Sequence, residues 1–347
     1  GHVIIIYIIT IYFLLVKNFI LKYQYILYII MDIEKLIKEL KPNLKENSIN
    51  TYLSQINKIN KILTKKDSIT NLNFLLNYDK VMNLLNTYKI NSRKSYLSSI
   101  IVSLQSTKLK KYDKIIEKYR NIMLENIKES QDKELLQIKT ESQAKNWTSI
   151  KELQSVLNEY KKILKDTFKK TKNTITSSEY EILKLYLIGS LYIADDENPP
   201  VRLDYADMKI ITKKNYEKLD DDLKKVNYLV KVSNKEKFFS FGNYKTNQTY
   251  GIKIIPIGKK LNIILNKFLK LHSSNYLLLN DKLEPMSQNT LGKTITKVFE
   301  PLEKSITLNL LRHIYISEKF PANFKTKEEL ASKMLHSSST QNIYAKI

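Results

Sequence analysis

The chain has 347 residues, enough for two ordinary domains with cores of their own. It has no cysteine, which excludes disulfides and cysteine-held metal, and its four histidines (His2, His272, His313 and His336) are too scattered for a histidine metal cluster. The formal net charge of +23 fits a polyanionic partner, and fits equally the Lys-, Asn-, Ile- and Tyr-rich usage of an A/T-rich genome.

Residues 1–30 differ from the rest. Val3 to Val16 carries no charge, and Lys17-Asn18 interrupts the apolar run before it reaches the ~20 residues a spanning helix needs. No basic leader or small-residue cleavage site marks a signal peptide. Three readings stand: translated sequence upstream of a start at Met31, which is preferred; a membrane anchor; or a buried or interface helix. Residues 32–127 read as a bundle of four or five helices. Apolar residues recur at helical spacing through Ile33-Leu36-Ile37-Leu40, Ile49-Leu53-Ile56-Ile59-Leu63 and Tyr96-Ile100-Leu104, with Ser48 a candidate N-cap. Residues 128–146 are polar, without sustained apolar period, and read as an interdomain linker. Trp147, the only tryptophan, opens a second domain at 147–347. It reads as core or domain-edge packing, with base or sugar stacking as the alternative.

Tyr180 to Ala194 is a strongly apolar helix, broken by Pro199-Pro200. Arg202 follows that rigid bend. Only four of the 58 basic residues are arginines, so one placed here suggests a site that needs a planar, two-pronged donor. Arg93 and Arg120 show that arginine also occurs without such a role, and surface pairing with Asp204 or Asp207 is the plain reading of Arg202. Three strand-like runs come next, Tyr228–Val232, Lys237–Phe241 and Tyr250–Ile257, and predict a small antiparallel sheet. Lys245 lies near the tip of the loop between the second and third. Leu261–Leu271 and Asn289–Pro301 should be helical, with His272 a helix-end residue without chemistry.

The last forty residues hold two polar islands, Arg312-His313 and His336-Ser337, and then Tyr344. An arginine that holds a phosphate, a histidine that bonds its oxygen and a tyrosine that attacks its phosphorus are what a phosphotyrosyl-forming enzyme needs. Leu311-Arg312-His313-Ile314-Tyr315-Ile316-Ser317, Leu335-His336-Ser337-Ser338 and Thr340-Gln341-Asn342-Ile343-Tyr344 resemble the C-terminal catalytic box of the tyrosine recombinase (phage integrase-like) family. More weakly, Ser48-x-x-Thr51 and Ser92 to Ile100 resemble the family's helical core-binding domain.

The resemblance implies a mainly α fold with a small antiparallel sheet, α+β in class, in which a DNA-clamping helical domain precedes a catalytic one. It implies site-specific cleavage and rejoining of double-stranded DNA through a 3′-phosphotyrosyl intermediate, without metal or nucleotide cofactor, by a tetramer on DNA inside a cell, for a virus or mobile element. Arg202 and Arg312 would clamp the scissile phosphate, Lys245 protonate the leaving oxygen, His336 bond a non-bridging oxygen and Tyr344 attack. Lys58, Lys61, Arg93 and Lys94 would contact backbone phosphates, and exposed charged faces are the alternative for each. Membrane association would enter only through residues 1–30.

Three departures stand out. Asn309 replaces the family's histidine three residues before Arg312, and an amide cannot act as a base near neutral pH. Tyr205 occupies the place, three after Arg202, where the family commonly has an acid. Leu335 replaces the glycine before His336, and the His336–Tyr344 interval is one residue short. His313 lies ~100° further round a helix than Arg312 and reads as structural. A type IB topoisomerase shares this chemistry, and Asn309 keeps a catalytically inactive, recombinase-derived DNA-binding protein in view.

Overall fold

The computed structural model describes residues 32–194, 196–319 and 330–335, together with Ser337, Tyr344 and Lys346. The apolar leader therefore lies outside the described residues, as does His336. The chain divides into two compact units, one up to Lys133 and one from Glu134 onward.

The first unit is helical: α1 (Ile33–Leu40), α2 (Glu46–Thr64), α3 (Tyr78–Asn86), α4 (Ile90–Ser106) and α5 (Asp113–Leu135). Asp32 and Asn77 cap α1 and α3 by accepting from Lys35 and Lys80 N–H. α4 is the hub. It packs on α1, α2 and α3, and its Leu97, Ile100 and Leu104 are fully buried with Ile37, Ile56, Ile59 and Leu85. The stretch 128–146, expected as a linker, holds the end of α5 and all of α6 (Glu141–Asn146), which a Thr140/Gln143 capping box starts.

The second unit is α+β. Around a small sheet stand α7 (Ile150–Ile163), α8 (Ser177–Ile193), α11 (Lys259–Leu271), α12 (Gln288–Val298) and α13 (Leu308–Lys319). Capping boxes Ser149/Glu152 and Thr176/Glu179 open α7 and α8. From Leu183 to Ile193 every residue of α8 is buried, because α7, α11 and α12 cover it on different sides. Trp147 is partly buried against this core, with Lys139 Nζ 4.6 Å from its ring, so it is a packing residue. His272 ends α11; its Nε2–H donates to the Tyr276 carbonyl (2.6 Å) and its Nδ1 accepts from Tyr180 OH (2.7 Å). Among the described residues no helix is long and apolar enough to cross a membrane.

The sheet differs from the antiparallel three strands expected. It has four strands in the order β1 (Lys209–Thr212), β2 (Asn227–Lys231), β3 (Lys237–Phe241) and β4 (Lys253–Pro256), and β1 pairs with β2 in parallel. A parallel neighbour needs a crossover, and residues 213–226, with the short α9 (Lys213–Tyr216), supply it. The third expected strand begins at Lys253 rather than Tyr250. The short α10 (Asn247–Tyr250) and Gly251, at φ +63°, occupy its start.

Candidate active site

The Arg202 turn is fixed from two sides. Tyr192 OH on α8 donates to the Arg202 carbonyl (3.2 Å), and Asn198 bridges to the β4–α11 junction by donating to Pro256 O (2.9 Å) and accepting from Gly258 N–H (2.7 Å). Arg202 is half-buried, and its Nη1 donates to the Leu335 carbonyl (3.0 Å). Thr246, the neighbour of Lys245, donates to the same carbonyl (3.3 Å). The Arg202 turn, the Lys245 turn and the residue before His336 therefore meet at one oxygen. Lys245 itself is exposed.

Arg312 projects from α13 into this region and is 2% exposed. Its guanidinium lies 4.5 Å from the Tyr344 ring centre, a cation–π contact. Its pKa is lowered to about 10, by burial above all and by Arg202, while Tyr344, Asp204 and Tyr192 act the other way. Asp204, two residues after Arg202, is buried at 4% exposure. Burial pushes its carboxyl up to about 6 against the pull of Arg202 and Arg312, and its Oδ2 has no hydrogen-bond partner among the described residues. Asp207, the other candidate, is exposed, at φ +54°.

The terminal tyrosine is seated by its main chain. His313 Nδ1–H donates to the Tyr344 carbonyl (2.8 Å), its ring packs on the Tyr344 ring (4.8 Å between centres), and Lys346 N–H donates to Ser317 Oγ (2.8 Å). Tyr344 is 9% exposed and packs with Ile316 and Met334. Because a carbonyl only accepts, His313 Nδ1 carries the hydrogen, and burial lowers the pKa of the ring to about 4, which keeps it neutral near pH 7. Leu335 stands at φ +58°, left-handed backbone that favours glycine. Asn309 is exposed on the first turn of α13, one turn before Arg312.

Two residues went unnoticed in the sequence. Thr246 is one. Asn227 is the other, buried where β2 begins and bonded to both the Arg202–Asp204 turn and the Lys245 turn. Among the described residues no cluster of three or more His, Asp or Glu side chains is placed to hold a metal ion.

The basic candidates of the first unit are exposed or half-buried. Lys58 Nζ lies 5.1 Å from the Tyr88 ring centre and 5.9 Å from that of Tyr96, rings that stack on each other at 4.9 Å. Lys61 pairs with Asp67 (2.8 Å). Arg93 is half-buried, and its Nη atoms reach Asn126 Oδ1 and the Tyr88 carbonyl, each at 3.5 Å. Lys94 is half-buried on α4.

Asp204 and His313 give the fold opposed pH dependences. A carboxyl raised from 3.8 to about 6 contributes stability that is present below its unfolded value and lost as pH rises through about 6. A histidine lowered from 6.5 to about 4 contributes stability that is present above 6.5 and lost as pH falls toward 4. Each is worth about 3 kcal/mol, so between pH 4 and 6.5 they largely cancel. Urea denaturation of Asp204→Asn should show stability rising with pH across that window relative to wild type, and His313→Phe should show it falling. Variant curves that run parallel to wild type would refute the assignment.

No protein-family model matches this chain, and no curated protein matches it. Among solved structures, that of XerA recombinase is similar at 11% sequence identity and a TM-score of 0.36, over 91% of this chain and 93% of that one.

Proposed function

We propose that this chain is a DNA breaking and rejoining enzyme of the tyrosine recombinase type, acting on double-stranded DNA. The observation that supports the reading is that Arg312 lies against the Tyr344 ring while Arg202 bonds the carbonyl of Leu335, so that the turn of Arg202 and the C-terminal segment, far apart in sequence, are brought together.

The two guanidiniums take the non-bridging oxygens of the scissile phosphate, and Asp204 offsets the repulsion between them. Tyr344 Oη forms the new bond to phosphorus, and its phenolic proton passes to solvent water, since the side chain at 309 is an amide. The bond to the 5′-oxygen breaks, and that oxygen takes its electron pair and a proton from Lys245. The products are a 3′-phosphotyrosyl link and a free 5′-hydroxyl. Attack by another strand's 5′-hydroxyl reverses each step, so the phosphoester bond energy is kept. His336 adds a hydrogen bond to a non-bridging oxygen. The helical first unit, through Lys58, Lys61, Arg93 and Lys94, holds the duplex backbone, and the working assembly is a tetramer on DNA.

The test is covalent capture. The chain first selects duplexes from a random pool. These are labelled at the 5′ end and nicked just beyond the cleavage point, so that the short 5′-hydroxyl fragment diffuses away. A labelled, protease-sensitive band at protein mobility on a denaturing gel is expected. Absence of that band on DNA the chain binds would overturn the reading in favour of an inactive DNA-binding protein.

A further inference from the structure

Asn227 is buried at the first position of β2, opposite Phe241, where β3 leaves the sheet for the turn that holds Lys245. Its side-chain amide is fully used. Nδ2–H donates to the Asp204 carbonyl (2.8 Å) and to the Asn243 carbonyl (2.9 Å), and Oδ1 accepts from Asn243 N–H (2.8 Å). One planar group thus ties the turn of Arg202 and Asp204 to the turn of Lys245. No other residue type of this size offers two donors and an acceptor in one plane.

The Lys245 turn is also held from its far side. A Cβ at Gly242 would meet the Lys224 carbonyl oxygen at 2.1 Å, so only glycine lets the turn lie against that backbone. Asn247 Nδ2–H donates to the Gly242 carbonyl (2.8 Å), and the Tyr244 hydroxyl donates to Gly251 O (2.8 Å), which buries Tyr244 while the next residue, Lys245, stays exposed. The turn is rigid in itself, and Asn227 alone bonds it, among the described side chains, to the Arg202–Asp204 turn.

We propose that Asn227 is a positioning residue that sets Lys245 against the phosphate clamp, coupling protonation of the leaving group to the site of Arg202 and Asp204. This rests on the strand-cleavage reading above. The residue does not touch DNA; it acts through Lys245.

A sulfur substitution at the leaving atom isolates that role. In DNA with a 5′-bridging phosphorothiolate the departing group is a thiolate, whose conjugate acid has a pKa of roughly 8.5, so it leaves without a proton. A general acid is worth about 10²–10⁴ in rate on the oxygen substrate, and a misplacement of ~1 Å costs on the order of 10². Single-turnover adduct formation is measured on both substrates for wild type, Lys245→Ala, Asn227→Ala and the isosteric Asn227→Asp, which keeps the acceptor but faces two carbonyls with no donor.

Both Asn227 variants should lose about 10²-fold on the oxygen substrate and recover on the sulfur substrate, as Lys245→Ala does. Equal loss on both substrates would make Asn227 a fold or clamp residue and overturn the proposal, as would no loss on either. A wild-type chain that forms no adduct with either substrate removes the parent reading and this one together. If wild type reacts with both, the parent reading stands, and the ratio of the two rates in the variants decides on Asn227 alone.

Discussion

Tyr344→Phe is expected to give a folded, DNA-binding protein that forms no covalent adduct at all. The substitution removes one oxygen and nothing else the fold uses. The ring keeps its place 4.5 Å from the Arg312 guanidinium and 4.8 Å from the His313 ring, and the bond from His313 is to the main-chain carbonyl. The loss of stability should therefore stay within about 1 kcal/mol, the net worth of an ordinary hydrogen bond. The loss of chemistry should be complete, because no other side chain can take over a nucleophile's position. The chain has 23 tyrosines, so loss of the adduct on changing a single one is a discriminating result. The denaturing gel reads the adduct, and a thermal melt run beside it shows that the variant is folded. An adduct of undiminished yield would place the nucleophile elsewhere, and peptide mapping of that adduct would then name it.

What was legible beforehand follows the range of the interactions concerned. Helix α8 announces itself through an apolar run, which is a local signal. Pro199-Pro200 marks the bend before Arg202 for the same reason: proline acts on its own neighbourhood. β1 was not legible. Four residues of strand between a buried turn and a lysine pair carry no alternation to read, and its pairing with β2 is decided by a crossover. Asn227 was equally silent, since its partners lie 16 and 23 residues away and nothing around an asparagine says which carbonyls it will meet. Asp204 and Asp207 read alike in the sequence, and only the fold shows that Asp204 is buried and Asp207 exposed. The left-handed φ of Leu335 is a property of the backbone that no local pattern around a leucine announces. His313 reads as structural from its helical angle, and its bond to the Tyr344 carbonyl makes that structural role part of the site.

Arg312→Ala should be the most damaging single substitution for chemistry and fold together. An arginine that stabilises a transferring phosphoryl group is worth about 10³–10⁵ in rate, and Ala supplies none of it. The fold suffers separately. Arg312 is among the largest side chains in the interior, at 2% exposure, and Asp204 is buried beside it with burial already opposing its charge. Emptying the space of so large a buried side chain costs about 2–5 kcal/mol, and the loss of its attraction for the Asp204 carboxylate adds to that. Arg312→Lys separates the two effects. It keeps a positive charge for Asp204 but loses the planar fork and its face-on contact with Tyr344, so stability should recover more than the rate of adduct formation does. The double variant Asp204→Asn with Arg312→Ala should be less unstable than the sum of its parts, because each single change leaves the other charge buried and the double change leaves neither. Urea denaturation of the four proteins gives the coupling, and the covalent assay gives the rate. Strict additivity in stability would mean that the carboxylate and this guanidinium do not interact. Adduct formation by Arg312→Ala within tenfold of wild type would mean that Arg202 holds the phosphate without it.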